Sequence, residues 1–119
     1  SRANPDARFS YGVTPFIAHR YDATYAMLRG IDFVKDLKDV PTAYLKQIYV
    51  DTSGDKTPAN FISSLELFGP EHILWGSDYP AKKDIAASME IVHQLSLTER
   101  EKKNILGGNL ERILKQVRV

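Results

Sequence analysis

The run His72-Ile73-Leu74-Trp75-Gly76 constrains this chain more than any other feature: it is continuously apolar after its first residue, and it breaks off sharply into Ser77-Asp78-Tyr79-Pro80. A strand without polar alternation has to be covered on both faces, the pattern of parallel sheets sandwiched by helices. Two further strands are expected upstream, Ala7 to Tyr11, bounded by Gly12, and Gln47 to Thr52, closed by Ser53-Gly54-Asp55. Helices separate them. Thr14-Pro15 reads as N-cap and first helical residue of a helix with Phe16, Ile17, Tyr21, Tyr25 and Leu28 at helical spacing and Gly30 as its stop. Gly30 to Asp39 is irregular, and Pro41 opens a short helix over 42–46. Thr57-Pro58 opens another helix, with Phe61, Leu65 and Phe68 on one face and Gly69-Pro70 at its end.

After the apolar strand, a helix from about Asp84 to Leu95 is expected to turn Ile85, Met89 and Val92 inward. Ser96-Leu97-Thr98-Glu99 has the form of a capping box, starting a helix that reaches Leu106 and stops at Gly107-Gly108. Asn109 then caps a final helix carrying Leu110, Ile113, Leu114 and Val117. Alternating strands and helices imply parallel strands with crossover connections. Three strands make a thin sheet that cannot close on itself, so its edges need covering.

Composition limits the partners. The 119 residues are 43% hydrophobic and 26% charged with a net charge of +1, values of an ordinary folded domain. Near-neutral charge gives no reason to expect nucleic acid or a membrane surface. The absence of cysteine excludes disulfide scaffolds, thiolate zinc sites and a cysteine nucleophile, and fits a reducing, cytoplasmic setting. No apolar run approaches the roughly 20 residues that cross a bilayer, and Ser1 to Arg8 has no apolar signal core.

In parallel α/β folds, functional groups gather at the C-terminal ends of strands. Three such ends are Tyr11-Gly12, Asp51-Thr52 and Ser77-Asp78. Asp78 follows the apolar run and a Gly76-Ser77 turn, at the mouth of a buried strand where a partly desolvated carboxylate has to meet a cation, a metal or a proton. The competing reading is that it caps a turn or the next helix. Asp51, in the turn-like string Asp51-Thr52-Ser53-Gly54, is read as structural. His19, His72 and His93 lack any spacing that would place two imidazoles on one metal, and are read as surface or packing residues. No glycine-rich phosphate loop follows a strand, and Ser77 has no adjacent base to activate it. Phe16, Tyr21, Tyr25, Tyr44 and Tyr49 are read as core aromatics rather than a base-stacking surface.

Taken together, these motifs resemble a known family. Ile73-Leu74-Trp75-Gly76-Ser77-Asp78-Tyr79-Pro80 resembles the last-strand signature of the amidohydrolase-related metal-dependent hydrolases, in the branch that includes aminocarboxymuconate-semialdehyde decarboxylase and resorcylate-type decarboxylases. Thr14-Pro15-Phe16-Ile17-Ala18-His19-Arg20 resembles the helix after the sixth strand of that family's barrel, Tyr49-Val50-Asp51-Thr52 the seventh strand, and Leu106-Gly107-Gly108-Asn109-Leu110-Glu111-Arg112-Ile113-Leu114 the closing helix. The resemblance implies a TIM (β/α)₈ barrel with a divalent metal, usually zinc, at its C-terminal mouth. It gives Asp78 the role of metal ligand or proton carrier, and Arg20 that of a contact to a substrate carboxylate, reached in decarboxylase members from a neighbouring subunit. The bland reading of Arg20 is a surface ion pair.

Two departures from the family pattern stand out. A barrel needs about 250 residues, so this chain of 119 corresponds to the last three βα units only, one segment spanning 1–119, without the early His-x-His motif or the middle-strand ligands. The family's histidine before the Thr14 helix aligns with Phe9, followed by Ser10-Tyr11-Gly12: either that ligand is lost, or residues are missing between Arg8 and Gly12. The expectation is therefore the C-terminal third of a homo-oligomeric, metal-dependent enzyme that hydrolyses or decarboxylates, non-oxidatively, a small carboxylate-bearing substrate, with little or no activity in this chain by itself. The alternative is a non-catalytic α/β fragment that folds by self-association or with a missing partner. A third possibility is the same topology with other chemistry.

Overall fold

The structure is a computed structural model that describes residues 8–10, 14–34, 36–53 and 58–117. Three parallel strands form one sheet in the order β1 (Arg8–Ser10), β2 (Tyr49–Asp51), β3 (Ile73–Leu74). The register pairs Arg8 with Tyr49, Phe9 with Val50 and Ser10 with Asp51, then Val50 with Ile73 and Asp51 with Leu74. Parallel strands in sequential order need crossovers of one hand, which place the connecting helices on one face of the sheet. Accordingly α1 (Thr14–Gly30) packs against α3 (Pro58–Phe68) and against the short α2 (Pro41–Leu45).

The strands are shorter than the sequence suggests. Gln47 and Ile48 donate their amides back to Tyr44 O and Leu45 O, so they close α2 instead of extending β2. His72 belongs to a 3₁₀ turn, Pro70–His72, that follows Gly69 at φ 79°. Its ring stacks on Tyr49 at 4.4 Å between centroids, and its Nδ1 lies 3.1 Å from Ile48 O, a packing role as expected. β3 is covered on both faces, as its unbroken apolarity requires: Ile73 is 0% and Leu74 7% exposed.

The core joins β2, β3 and the C-terminal helices. Val50, Phe61, Phe68, Ile73, Val92, Leu95 and Ile105 form one buried cluster, with Trp75 and Leu65 packed on its margin. The indole Nε1 of Trp75 donates to Ser88 Oγ at 3.2 Å, fastening α4 (Ile85–Gln94) to the end of β3. α4 begins as expected at Asp84, whose carboxylate accepts from Ala87 N at 2.9 Å. Val92 is inward, but Ile85 is partly exposed.

Several expectations are corrected. The aromatics of α1 and α2 are not uniformly core: Tyr25 is buried, but Phe16 is 86% exposed and Tyr21 and Tyr44 about 40% exposed. Gly30 is the last residue of α1, and the left-handed position after it is Asp32, at φ 60°. The capping box lies two residues later than expected: Thr98 Oγ1 accepts from Glu101 N while Glu101 Oε1 accepts from Thr98 N, each at 3.1 Å, starting α5 (Glu99–Lys103). Gly107-Gly108 does not stop the helix. A π-helical turn, Asn104–Gly108, carries it into α6 (Asn109–Gln116). A Cβ on Gly108 would lie 2.5 Å from Asn104 Oδ1, so the wide turn favours glycine there. In α6, Ile113 is buried, whereas Leu110 and Leu114, and Val117 just past its end, are exposed.

Nor does Asn109 cap a helix. It is fully buried, and its Nδ2 donates to Pro70 O at 2.7 Å and to Ile73 O at 2.8 Å. Its Oδ1 accepts from Arg112 Nη1 at 3.3 Å, and Arg112 Nη2 reaches Glu71 O at 2.7 Å. The side chain thus replaces water for two carbonyls at the start of β3. Asn109→Ala removes both donors and leaves those carbonyls dry, so it is expected to lower the unfolding free energy by about 2–4 kcal/mol in denaturant titrations.

Between α1 and α2, Asp22 accepts from Thr42 Oγ1 at 2.6 Å and from Thr42 N at 3.0 Å. These two bonds hold the Asp22 carboxyl below the usual aspartate range. The native state then binds fewer protons than the unfolded state, so the clip's contribution is present above about pH 4 and is lost as pH falls through the lowered value. Acid unfolding of Asp22→Asn should show a shallower fall in stability below about pH 4 than the parent.

Candidate functional site

The C-terminal ends of β2 and β3 lie side by side and are joined by one side chain. Beyond the last ladder pair, Thr52 N donates to Leu74 O at 2.9 Å. The Thr52 hydroxyl, 4% exposed with the rest of its residue, accepts from Gly76 N at 3.1 Å and lies 3.3 Å from Gly76 O, to which it donates. Next to it, Asp51 Oδ1 accepts from Ser53 N at 2.9 Å, the structural turn expected of Asp51. Gly76 runs so close to this turn that a Cβ on it would come within 2.5 Å of Ser53 Oγ.

From Gly76 the chain turns outward. Ser77 Oγ accepts from Tyr79 N at 3.2 Å, so Ser77 serves the turn. Asp78 sits in the left-handed region at φ 61°, and its carbonyl accepts from Lys82 N at 2.9 Å. Its side chain is exposed and makes no hydrogen bond or ion pair among the described residues. Exposure differs from the expected partial desolvation: β3 is dry, but the loop carries Asp78 beyond the sheet, where no described element covers it. The helix and turn caps fall to Asp84 and Ser77, which leaves the carboxylate of Asp78 uncommitted.

Arg20 is exposed on α1 and forms no ion pair with a described residue, so the surface-pair reading finds no partner there. His19 and His93 are exposed too, and His93 O accepts from Lys102 Nζ at 2.6 Å. Among the described residues, no group of three or more His, Cys, Asp or Glu side chains is close enough to hold a metal. A protein-held metal needs three or four donors, and Asp78 offers one. The Tyr11-Gly12 strand end lies outside the described residues. Broad hollows lie elsewhere among the described residues. One of about 880 Å³ is lined by Lys103, Asn104, Glu111, Arg112 and Lys115; another of about 410 Å³ lies by Lys46, Glu66 and His72. Neither includes a residue from a C-terminal strand end, where parallel α/β folds place their chemistry.

Thr52 was not legible as a site element because it reads as turn composition; a β-branched hydroxyl immediately after the strand is the available signal. The backbone at Asp78 gives a direct test. A left-handed φ is tolerated by Gly and Asp but strained for a β-branched residue, so Asp78→Val should be about 1–2 kcal/mol less stable than Asp78→Gly in thermal unfolding.

The chain matches the amidohydrolase family over residues 16–116. Among curated proteins, no sequence matches it. Solved structures resemble it in fold. 5-Carboxyvanillate decarboxylase from Sphingomonas paucimobilis is 28% identical with a TM-score of 0.74, the alignment covering 87% of this chain and 31% of that one. 2,6-Dihydroxybenzoate decarboxylase from Rhizobium is 21% identical with a TM-score of 0.73, covering 92% and 34%. 5-Carboxyvanillate decarboxylase from Novosphingobium aromaticivorans, crystallised with manganese and 4-hydroxy-3-methoxy-5-nitrobenzoic acid, is 22% identical with a TM-score of 0.72, covering 87% and 30%. The chain thus spans about a third of the length of these structures. No helix among the described residues is long and apolar enough to cross a membrane. With the motif order read from the sequence and the match covering nearly all of the described helices and β2 and β3, this chain belongs to the amidohydrolase family.

Proposed function

We propose that this chain is the C-terminal part of a (β/α)₈-barrel enzyme that decarboxylates, non-oxidatively, a small aromatic carboxylate. The observation that carries the proposal is the carboxylate of Asp78, free of described partners and held at φ 61° on the loop that ends β3. Hydrolysis of a related small carboxylate is the neighbouring reading within the same family. The decarboxylase reading is favoured by the 5-carboxyvanillate decarboxylase that is 28% identical to the chain.

In this reading Asp78 hands a proton to the ring carbon as the C–CO2 bond breaks and CO2 leaves; in the hydrolytic reading it takes the proton of the attacking water instead. The outward loop leaves it exposed in this chain, and the remainder of a barrel would enclose it. Arg20 contacts an anionic substrate group through its guanidinium fork, from the same or a neighbouring protomer of a homo-oligomer. The donor set here does not hold a metal unaided. A divalent cation, zinc or manganese, belongs to the complete enzyme, with Asp78 as one oxygen ligand and the others outside this chain. We place the enzyme in the cytoplasm, in keeping with a chain of no cysteines.

The test is turnover of 5-carboxyvanillate and 2,6-dihydroxybenzoate by the protein that carries this chain, followed as loss of the carboxylate. Asp78→Asn should lower kcat about 100-fold or more, the usual weight of one acid–base group. Arg20→Ala should raise KM more than it lowers kcat. Equal rates for Asp78→Asn and the parent would remove Asp78 from the chemistry.

A further inference from the structure

We propose that Thr52 is a positioning residue for the loop that carries Asp78, acting through Gly76. The inference deepens the functional reading above and rests on it for its catalytic arm. β2 and β3 are paired only through Val50–Ile73 and Asp51–Leu74. Past that point no ladder remains to fix where β3 ends and the loop begins. The Thr52 hydroxyl takes over this role. One oxygen accepts from Gly76 N and donates to Gly76 O, at 3.1 and 3.3 Å, so both polar groups of a single peptide position are held by one side chain of the neighbouring strand.

Three features make this more than incidental. The residue is 4% exposed, so water is kept from the hydroxyl's side of both bonds, although Gly76 itself is half-buried. Its own amide is already fixed on Leu74 O at 2.9 Å, so the hydroxyl is anchored at a defined distance beyond the ladder. And Gly76 has no side chain to push it off: a Cβ there would meet Ser53 Oγ at 2.5 Å. Two residues later the backbone enters the left-handed region at Asp78, a conformation that persists only when the surroundings impose it. Thr52 and Ser77 Oγ, on Tyr79 N at 3.2 Å, supply that restraint from the two sides of the turn. Thr52 touches none of the groups proposed to react, and so directs the loop without taking part in the chemistry.

The experiment compares Thr52→Val, which keeps the shape and removes the hydroxyl, with Thr52→Ser, which keeps the hydroxyl. Amide hydrogen exchange is read on the protein that carries this chain. In Thr52→Val, exchange at 76–79 should rise about tenfold, the equivalent of one lost hydrogen bond, while amides within α3 keep their parent rates; Thr52→Ser should stay near the parent at both places. On turnover, Thr52→Val should lower kcat about tenfold with KM nearly unchanged, and Thr52→Ser should retain it. Unchanged exchange at 76–79 in Thr52→Val overturns the proposal. So does a uniform rise over α3 and the loop alike, which marks simple loss of stability, and so does an equal loss of kcat in both variants. Asp78→Asn is run alongside. If it leaves turnover intact, the catalytic reading of Asp78 fails, and the exchange data still decide whether Thr52 holds the loop.

Discussion

Strand β3 contributes only two residues to the sheet, and the roles proposed for Asp78 and Thr52 hang from its far end. A pairing that short is weak by itself; what makes it definite is a set of hydrogen bonds from outside the ladder. At its start, Asn109 holds the carbonyls of Pro70 and Ile73. At its end, Thr52 grips Gly76, and Trp75 N donates to Ile105 O at 2.9 Å. The last of these depends on the π-helical turn, where a backbone carbonyl of the helical layer serves the strand instead of standing only in its own ladder. Buried polar bonds of this kind are costly to leave half-made, so they select one arrangement of strand and helix over its neighbours.

Among the described residues, the C-terminal half is better buried than the N-terminal half. The apolar cluster runs through β2, α3, β3, α4 and the π-helical turn. α1 adds Ala18 and Tyr25, and its link to the following segment is largely polar: Tyr25 OH to Leu37 O at 3.0 Å, Arg29 to both, and Asp22 to Thr42. Phe16, Ile31 and Phe33 remain open to solvent.

How much of this the sequence carried depends on the range of the interaction involved. Helix starts marked by proline, the parallel alternation, the inward face of Phe61 and Phe68 and the double-sided burial of Ile73 and Leu74 follow from local pattern, and they hold. The roles of Asn109 and Gly107-Gly108 did not follow. Locally Gly-Gly-Asn is a stop followed by a cap, and only the distant carbonyls of Pro70 and Ile73 turn the asparagine into an anchor, 36 residues along the chain from the nearer of them. Phe16 misled for the complementary reason: helical spacing of apolar residues shows that a face exists, but not that anything described here lies upon it. At the site, the position of Asp78 was legible from the strand that precedes it. Its exposure and the Thr52 grip were not, since both depend on how two strand ends meet in space.

The contact between Trp75 and Ser88 has a practical consequence. Trp75 is the chain's single tryptophan, half-buried three residues before Asp78, with its indole N–H bonded across to α4. Its intrinsic fluorescence therefore arises from one place. Emission wavelength and quenching of this indole report the seating of α4 on the end of β3, with no second indole within these 119 residues. This stretch of the protein thus carries its own optical probe at the root of the loop on which the chemistry is proposed to turn.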